Sequence, residues 1–228
     1  SRGLGDVYKR QGYDNGKFGA EFGYGRFQDA ERSMDHYHWE NSASIESWYG
    51  KLTGHFGESS AVSAFYLKNV QGLDGNSVDP SIKGAHVHAW GAGATIDLGD
   101  SGLNIDGDFI QTRGNRDLGH ANLWTAGLNY GKVDLNKPGS FTLGVHYVRA
   151  DAGAYLLGNS ALDMTDQLEY GWDNGTGVKF WVAKAGVAVQ KNVELDAYYN
   201  FGAKAFDRYD DSTKDPANTW GVELNYAF

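Results

Sequence analysis

The last ten residues of the chain, 219–228, alternate without a break between two kinds of side chain. Trp220, Val222, Leu224, Tyr226 and Phe228 are large and apolar, and the residues between them are small or polar. Because successive side chains of a β-strand point to opposite faces, this alternation predicts a strand with one apolar and one polar face. The fold must therefore shield the apolar face of this strand from water.

Patterns of the same kind occur along the whole chain and predict about ten strands. We place them at 17–27, 44–56, 60–69, 85–98, 102–112, 121–131, 139–149, 178–190, 192–205 and 219–228. Short connections, as at 57–59, 99–101 and 190–192, alternate with longer loops. Glycine and aromatic residues are both frequent, which suits strands joined by turns. The sequence thus predicts an all-β, antiparallel up-and-down sheet.

Aromatic residues mark one end of the predicted apolar faces. Every second strand begins its apolar face with a tryptophan and continues with small or aliphatic residues. Aromatic rings favour the headgroup level of a membrane, where one end of the ring is apolar and the other wet. We therefore predict an aromatic girdle that contacts lipid, made of Trp48, Trp90, Trp124, Trp181, Trp220 and Tyr226.

The predicted strand 60–69 permits two orientations. Either the odd-numbered residues of 61–67 or the even-numbered residues of 62–68 face lipid, because both sets mix apolar and polar side chains. We expect the odd-numbered set to face lipid, which leaves Lys68 on the wet side.

Charge and hydropathy exclude several classes of protein. The formal net charge of −9 argues against nucleic-acid binding, which needs a basic face. No run of apolar residues is long enough for a transmembrane helix. The low mean hydropathy, −0.52, is compatible with a transmembrane barrel, because half of each strand then faces water.

The C-terminal strand resembles the closing strand of bacterial outer-membrane β-barrels. In that family the strand also carries the signal read by the barrel-assembly machinery, which here corresponds to Trp220, Val222, Leu224, Tyr226 and Phe228. Residues 190–195 and 199–201 resemble the penultimate hairpin of general porins. The opening of the last strand, Asn218-Thr219-Trp220, is similar to porins of diderm Firmicutes that carry an S-layer-homology domain.

This resemblance implies a transmembrane porin in the bacterial outer membrane. The chain would be the C-terminal part of a larger barrel of about 16 strands. The expected function is passive diffusion of small hydrophilic solutes and ions, without a cofactor and without enzymatic activity. The expected partners are outer-membrane lipid, the barrel-assembly machinery and two further copies in a homotrimer.

The polar faces of the predicted strands would line the pore. Carboxylates outnumber lysines among them, which predicts a cation bias, since rings of Asp and Glu favour cations. Same-face carboxylate pairs such as Asp106 with Asp108 could in principle perform acid–base chemistry, but we interpret them as pore wall. The predicted lining residues are Glu21, Lys51, His55, Asp106, Asp108, Asn129, His146, Lys184, Glu194, Asp196, Lys204 and Glu223.

The longest predicted loop, 150–177, contains acids and no lysine or arginine. Porins often fold one long loop into the barrel, and residues 160–170 could form a short helical turn with Ser160 as its cap. We expect this loop to line the entrance and to favour cations, although a solvated surface loop is the alternative. The predicted constriction acids are Asp151, Asp163, Asp166, Glu169 and Asp173.

Two histidine clusters are candidates for a metal site. His36 and His38 lie in the first long loop, and His86 and His88 share one face of a strand. A His-X-His pair on a strand can hold a metal, but no third ligand stands at a suitable spacing. We therefore predict no metal site.

The first eleven residues resemble a translated sequencing adapter. Read back into codons, residues 1–11 match the transposase adapter used in library preparation, so we expect them not to be native. The barrel would then occupy 12–228, with its upstream part and signal peptide missing. Asp14-Asn15-Gly16 fits a tight hairpin turn, which predicts a further strand upstream.

Two other classes of function stay open. A ten-stranded outer-membrane enzyme of the protease or lipase type would need an Asp–His or Ser–His pair at one rim, for which Asp35, His36 and His38 are the candidates. A non-conducting barrel that serves as an adhesin or envelope anchor would have a lumen filled with side chains.

Overall fold

Eleven antiparallel strands form one up-and-down sheet in a computed structural model that describes residues 8–28, 45–57, 59–70, 88–115, 119–154, 162–208 and 210–226. Each strand neighbours the next along the chain, which confirms the all-β, up-and-down prediction. The strands are β1 (Tyr8–Asp14), β2 (Phe18–Gln28), β3 (Ile45–Phe56), β4 (Ser60–Asn69), β5 (His88–Asp97), β6 (Leu103–Asn115), β7 (Gly119–Gly131), β8 (Phe141–Ala150), β9 (Gly177–Gln190), β10 (Val193–Phe206) and β11 (Thr219–Tyr226). In the described ranges one α-helix, α1 (Leu162–Asp173), lies between β8 and β9, and a short 3-10 helix spans Gly99–Ser101 between β5 and β6.

The strand count is eleven rather than ten because β1 precedes the first predicted strand. A turn between β1 and β2 lies where the Asn-Gly pair predicts one, but only Gly16 of this pair has a positive φ, 78°, and three residues instead of two separate the strands. Asn15 Oδ1 accepts hydrogen bonds from the N–H groups of Lys17 and Phe18. The upstream strand predicted from this turn is therefore confirmed. It includes residues 8–11, whose origin in an adapter stays a prediction.

The described residues fall into two compact units. The first contains Ser1–Ala92 and Ile110–His120, with β1–β4 at its centre, and the second contains Gly93–Phe109 and Ala121–Phe228, with β7–β11. In each unit the strands pair in register, so that directly opposite residues share one face of the sheet.

The register of β3 and β4 corrects the orientation expected for strand 60–69. Lys51 lies opposite Phe65, and Leu52 lies opposite Ala64. The odd-numbered residues of β4 therefore share the polar face with Lys51, and the even-numbered residues share the apolar face with Leu52. The expectation was wrong because alternation within one strand cannot choose between two mixed faces, whereas pairing with the neighbouring strand can.

Helix α1 packs on the second unit, against β9, β10 and β11. Its Leu168 belongs to a buried cluster with Val148, Phe180 and Val182, all of which project from the polar side of β8 and β9. The structure therefore confirms a helix within the loop 150–177, although the helix begins at Leu162 and ends at Asp173. The expected cap, Ser160, lies outside the described residues. No helix in the described part of the chain is sufficiently long and apolar to cross a membrane.

Candidate functional site

The apolar face of each unit is exposed. In the second unit, one row across five strands consists of Leu128, Val145, Ala183, Tyr199 and Trp220, each opposite the next. Trp220 is 72 % exposed, and Leu128 is 44 % exposed. The first unit shows the same exposure at Phe18, Phe22, Leu52, Phe56, Val62 and Tyr66.

The opposite, polar face holds the buried residues instead. Fully or nearly fully buried side chains there include Ser47 and Asn69 in the first unit and His146 and Asn200 in the second. Ser47 donates a hydrogen bond to Asn69 Oδ1 over 2.7 Å. We call this an inverted sheet: its apolar face is exposed, whereas its polar face encloses polar groups and, in the second unit, also the apolar cluster around Phe180.

Aromatic rings form two continuous chains on the apolar faces. In the second unit, the ring centroids of Trp124 and Tyr147 are 5.1 Å apart, and those of Tyr147 and Trp181 are 4.9 Å apart. In the first unit, Trp48 contacts Phe22 on one side and Tyr66 on the other. Each chain joins rings from neighbouring strands.

The other residues of the predicted girdle have different positions. Trp220 lies opposite Tyr199 on the edge strand β11, whereas Tyr226 lies opposite Val193, at the other end of β11. Trp90 is exposed, and its indole N–H donates to Gln111 Oε1 over 3.2 Å. Tyr226 therefore lies at the opposite end of β11 from Trp220. Phe228, the last residue of the predicted assembly signal, lies outside the described residues.

A polar network lies on the polar face of β6, β7 and β8. The Asn129 amide donates hydrogen bonds to Asn104 Oδ1, over 2.9 Å, and to the carboxylate of Asp106. His146 Nε2 lies 2.8 Å from Asn129 Oδ1, and His146 Nδ1 lies 3.6 Å from Asp106 Oδ2. The structure thus brings three predicted lining residues into direct contact, and the low exposure of His146 shows that they fill space on this face.

Acidic residues are concentrated near the turn between β9 and β10. Asp196 lies opposite Gly186 on one side and Glu223 on the other, and Glu194 lies opposite Asn225. The Asn225 amide donates to Asp196 Oδ2 over 2.9 Å. This end of the polar face therefore carries three carboxylates on two adjacent strands.

The other predicted lining residues of the second unit have different surroundings. Lys184 lies on the polar face, opposite Gly144 and Tyr198. Asp108 is exposed, and its backbone N–H donates to Thr125 Oγ1 over 3.2 Å.

The first unit has its own charged group on the polar face. Glu21 accepts hydrogen bonds from Arg10 and from the hydroxyl of Tyr49, and it lies opposite Lys51. Nearer the β1–β2 turn, His55 Nε2 lies 3.2 Å from Asp14 Oδ2. The three lining residues predicted here, Glu21, Lys51 and His55, therefore share one face.

Lys204 is not on the polar face. A β-bulge shifts the register between Phe201 and Lys204, and Gly202 within it has a φ of 64°. Beyond the bulge, Ala203 and Ala205 are buried on the polar side, and Lys204 lies opposite Lys179 on the apolar side. Strict alternation failed here because a bulge adds one residue to one strand of a pair.

Those predicted constriction acids whose side chains the structure describes have different surroundings. Asp151 Oδ2 accepts two hydrogen bonds from Asn122, from the backbone N–H and the side-chain amide. Asp166 and Glu169 are exposed on α1. Asp163 and Asp173 also belong to α1, but their side chains are not among those that the structure describes.

Hydrogen bonds attach α1 to the β10–β11 loop. The Gln167 amide donates to the carbonyl oxygen of Ala217 over 2.8 Å and more weakly to Thr219 Oγ1, and the Tyr170 hydroxyl donates to the carbonyl oxygen of Lys214. Gln167 is 1 % exposed. The helix is thus fixed on the polar face by contacts between residues about fifty positions apart, which sequence patterns did not indicate.

Several side chains of the polar face lie across a glycine on the neighbouring strand. A Cβ at Gly127 would come within 2.7 Å of His146, and one at Gly221 would come within 2.5 Å of Tyr198. Tyr49 covers Gly23 in the same way. Tyr49, Tyr198 and Gln167 were not among the predicted site residues. For the two tyrosines a signal existed, because the alternation of β3 and β10 places them on the polar face.

No group of three or more His, Asp or Glu side chains in the described ranges could hold a metal. His36, His38, His86 and Asp35 lie outside those ranges. No protein-family model matches the chain, and a search of curated protein sequences finds no match. The function must therefore be inferred from the two faces of the sheet and from α1.

Proposed function

We propose that this chain belongs to an outer-membrane β-barrel that forms a water-filled, cation-biased channel for passive diffusion of small hydrophilic solutes and ions. The observation that supports this most directly is the inverted sheet. Burying one Val or Leu side chain stabilises a protein by about 1.5–3 kcal/mol, so a row such as Leu128, Val145 and Ala183 needs an apolar environment. Hydrocarbon would supply that environment.

Membrane insertion also constrains the edges of the sheet. Every backbone polar group must be paired within hydrocarbon, so only helices and closed sheets are stable there. The outer strands of the sheet are β1 and β11. The proposal therefore requires that both edges be paired in the membrane, to each other or to further strands, as in a larger barrel of about 16 strands.

The polar face would line the aqueous space. Its carboxylates include Glu194, Asp196 and Glu223 at one end and Asp106 in the middle. Carboxylates in a narrow, low-dielectric space attract cations and repel anions. The exposed Asp166 and Glu169 of α1 would add to this bias where the helix narrows the channel.

The packing of α1 favours a second candidate function. The helix covers part of the polar face and buries an apolar cluster there. If it blocks the channel completely, the protein is a non-conducting barrel that acts as an adhesin or envelope anchor.

Planar bilayer recordings test the channel. The refolded protein should insert and conduct, and the reversal potential in a potassium chloride gradient should indicate cation preference. The double variant Asp166→Asn/Glu169→Gln should shift the reversal potential towards zero, the value expected for a channel without ion selectivity. The matched control Asp210→Asn/Asp211→Asn makes the same charge change in the β10–β11 loop and should cause a smaller shift. Insertion without conductance would support the second candidate, and anion preference would contradict the proposal.

A further inference from the structure

Three cationic residues lie side by side at one end of the apolar face of the second unit. Arg149 on β8 is directly opposite Lys179 on β9, and Lys179 is directly opposite Lys204 on β10. We call these residues the basic row. Lys204 reaches this face only because of the bulge at Gly202, so the row depends on an irregularity of β10.

Aromatic rings border the basic row on both sides. Towards the middle of the sheet, the next row on this face is Tyr147, Trp181 and Phe201, which is two residues away on β8 and β9 and three residues away on β10. On the other side, the Arg149 guanidinium lies 4.3 Å from the centre of the Phe206 ring. The row therefore lies at the boundary of the exposed apolar surface, beside the chain of aromatic rings.

The positive charge of the row is only partly compensated. Asp151 Oδ1 lies 3.7 Å from Arg149 Nε. Within the described ranges, no carboxylate forms an ion pair with Lys179 or Lys204. Directly opposite residues have Cβ atoms about 4.5–5.5 Å apart, and like charges at this distance destabilise a strand pair. An anion bound between them would remove this repulsion.

We propose that the basic row binds the phosphate group of an anionic membrane lipid. This inference rests on the proposed function, which places the apolar face in the membrane. Aromatic rings then lie at the headgroup level, and the next residues along the strands meet the headgroups. A guanidinium matches phosphate with two parallel hydrogen bonds, and each ammonium adds a mobile point charge.

The test measures lipid retained by the whole protein. The protein is refolded into phosphatidylcholine vesicles that contain a minor fraction of phosphatidic acid and is then extracted with a mild detergent. Mass spectrometry gives the ratio of the two lipids that remain bound. The wild type should be enriched in phosphatidic acid. The variant Lys179→Gln/Lys204→Gln should bind it roughly thirtyfold more weakly, since each lysine near an anionic membrane surface raises the affinity by a factor of about five to six.

A matched control makes the same charge change at the other end of the strands. Lys132→Gln/Lys191→Gln alters two exposed lysines in the β7–β8 and β9–β10 turns and should retain the wild-type enrichment. Equal enrichment in the wild type and in the variant of the basic row would overturn the lipid site. Displacement of phosphatidic acid by equimolar inorganic phosphate would overturn it as well, because it would identify a site for soluble anions.

The insertion of the protein is followed separately by the heat-dependent shift of the folded band in gel electrophoresis and by protection from protease. If the wild type inserts but shows no enrichment, the lipid site is wrong while the proposed function stands. If the wild type does not insert into vesicles, the proposed function fails and the lipid site fails with it.

Discussion

The ring of Tyr49 lies across Gly23, its direct partner on the neighbouring strand. A Cβ at Gly23 would come within 2.7 Å of the Tyr49 Cζ atom and closer still to Cε1. The hydroxyl of the same ring donates a hydrogen bond to Glu21, which also bonds Arg10. Gly23 thus allows the aromatic ring to lie flat on the polar face and to reach the charged group beside it.

Gly23→Ala should therefore destabilise the protein. The added methyl group forces the Tyr49 ring to move, which breaks its hydrogen bond to Glu21 and overpacks the face. We expect a loss of about 1–3 kcal/mol in the free energy of unfolding, measured in urea with the protein in detergent micelles.

Gly54→Ala is the matched control for this change. A Cβ at Gly54 meets nothing within 4 Å, so the alanine should leave the stability unchanged or raise it by up to about 1 kcal/mol. An equal loss of stability in both variants would show that replacing any glycine in these strands is destabilising, and that the ring of Tyr49 is not the cause.

The faces of most strands could be predicted from the sequence because they depend on a local property. In β9, for example, Trp181, Ala183 and Val189 alternate with Val182 and Lys184, and the period of two directly gives the face of each residue. The alternation of short and long connections holds for most of the chain but fails around β7, which three residues separate from β6 and nine residues separate from β8.

Other features could not be predicted because they depend on distant contacts. The orientation of β4 follows from its pairing with β3, and the face of Lys204 follows from a bulge that only the register of β9 and β10 reveals. The docking of α1 depends on Gln167, whose hydrogen-bond acceptor at Ala217 lies fifty residues away.

An arginine in the middle of the apolar face should reveal whether that face contacts hydrocarbon. Val145 is 38 % exposed and lies in the middle of β8. In lipid, Val145→Arg should cost about 2–4 kcal/mol, because a charge at the bilayer midplane is poorly solvated. The measurement is the free energy of unfolding in phosphatidylcholine vesicles.

Val189→Arg provides the comparison at the end of a strand. Val189 is also exposed, but it lies one residue before the end of β9, where the cost should fall to about 0–1 kcal/mol. If instead Val145→Arg makes the protein soluble without detergent and leaves its stability unchanged, the apolar face does not lie in a membrane.

Removing the hydrogen bonds of α1 should loosen the helix without unfolding the sheet. Gln167→Met/Tyr170→Phe keeps the size of both side chains but removes their bonds to Ala217 and Lys214. Each bond contributes about 0.5–1.5 kcal/mol, so the amides of α1 should exchange their hydrogens about ten- to a hundredfold faster. Mass spectrometry of exchange in the peptide containing 162–173 measures this.

The exposed Glu169 of the same helix supplies the control. Glu169→Gln should leave the exchange rates of α1 unchanged, because that carboxylate is exposed. Unchanged exchange in the double variant would show that the apolar cluster around Leu168 alone holds the helix in place.

The β7–β8 turn lies outside the strands and contains Asp134, a carboxylate whose pKa is lowered. The backbone N–H of Asn136 donates to Asp134 Oδ1 over 2.9 Å, which is the main reason for the low pKa of Asp134, and the ammonium of Lys137, 3.6 Å from Oδ2, adds to it. A group whose pKa is lowered on folding stabilises the folded state above its ordinary pKa, and this contribution is lost as the pH falls through the lowered value.

Asp134→Asn should therefore lower the unfolding midpoint in urea at pH 7 and have a progressively smaller effect as the pH falls below about 4, where the wild-type carboxylate becomes protonated. Tryptophan fluorescence in detergent micelles between pH 3 and pH 7 measures both proteins. Lys137→Gln removes the weaker cause but keeps the hydrogen bond from Asn136, so it should retain most of the pH dependence of the wild type. If Lys137→Gln abolishes that dependence while Asp134→Asn preserves it, the ammonium and not the backbone N–H controls this turn.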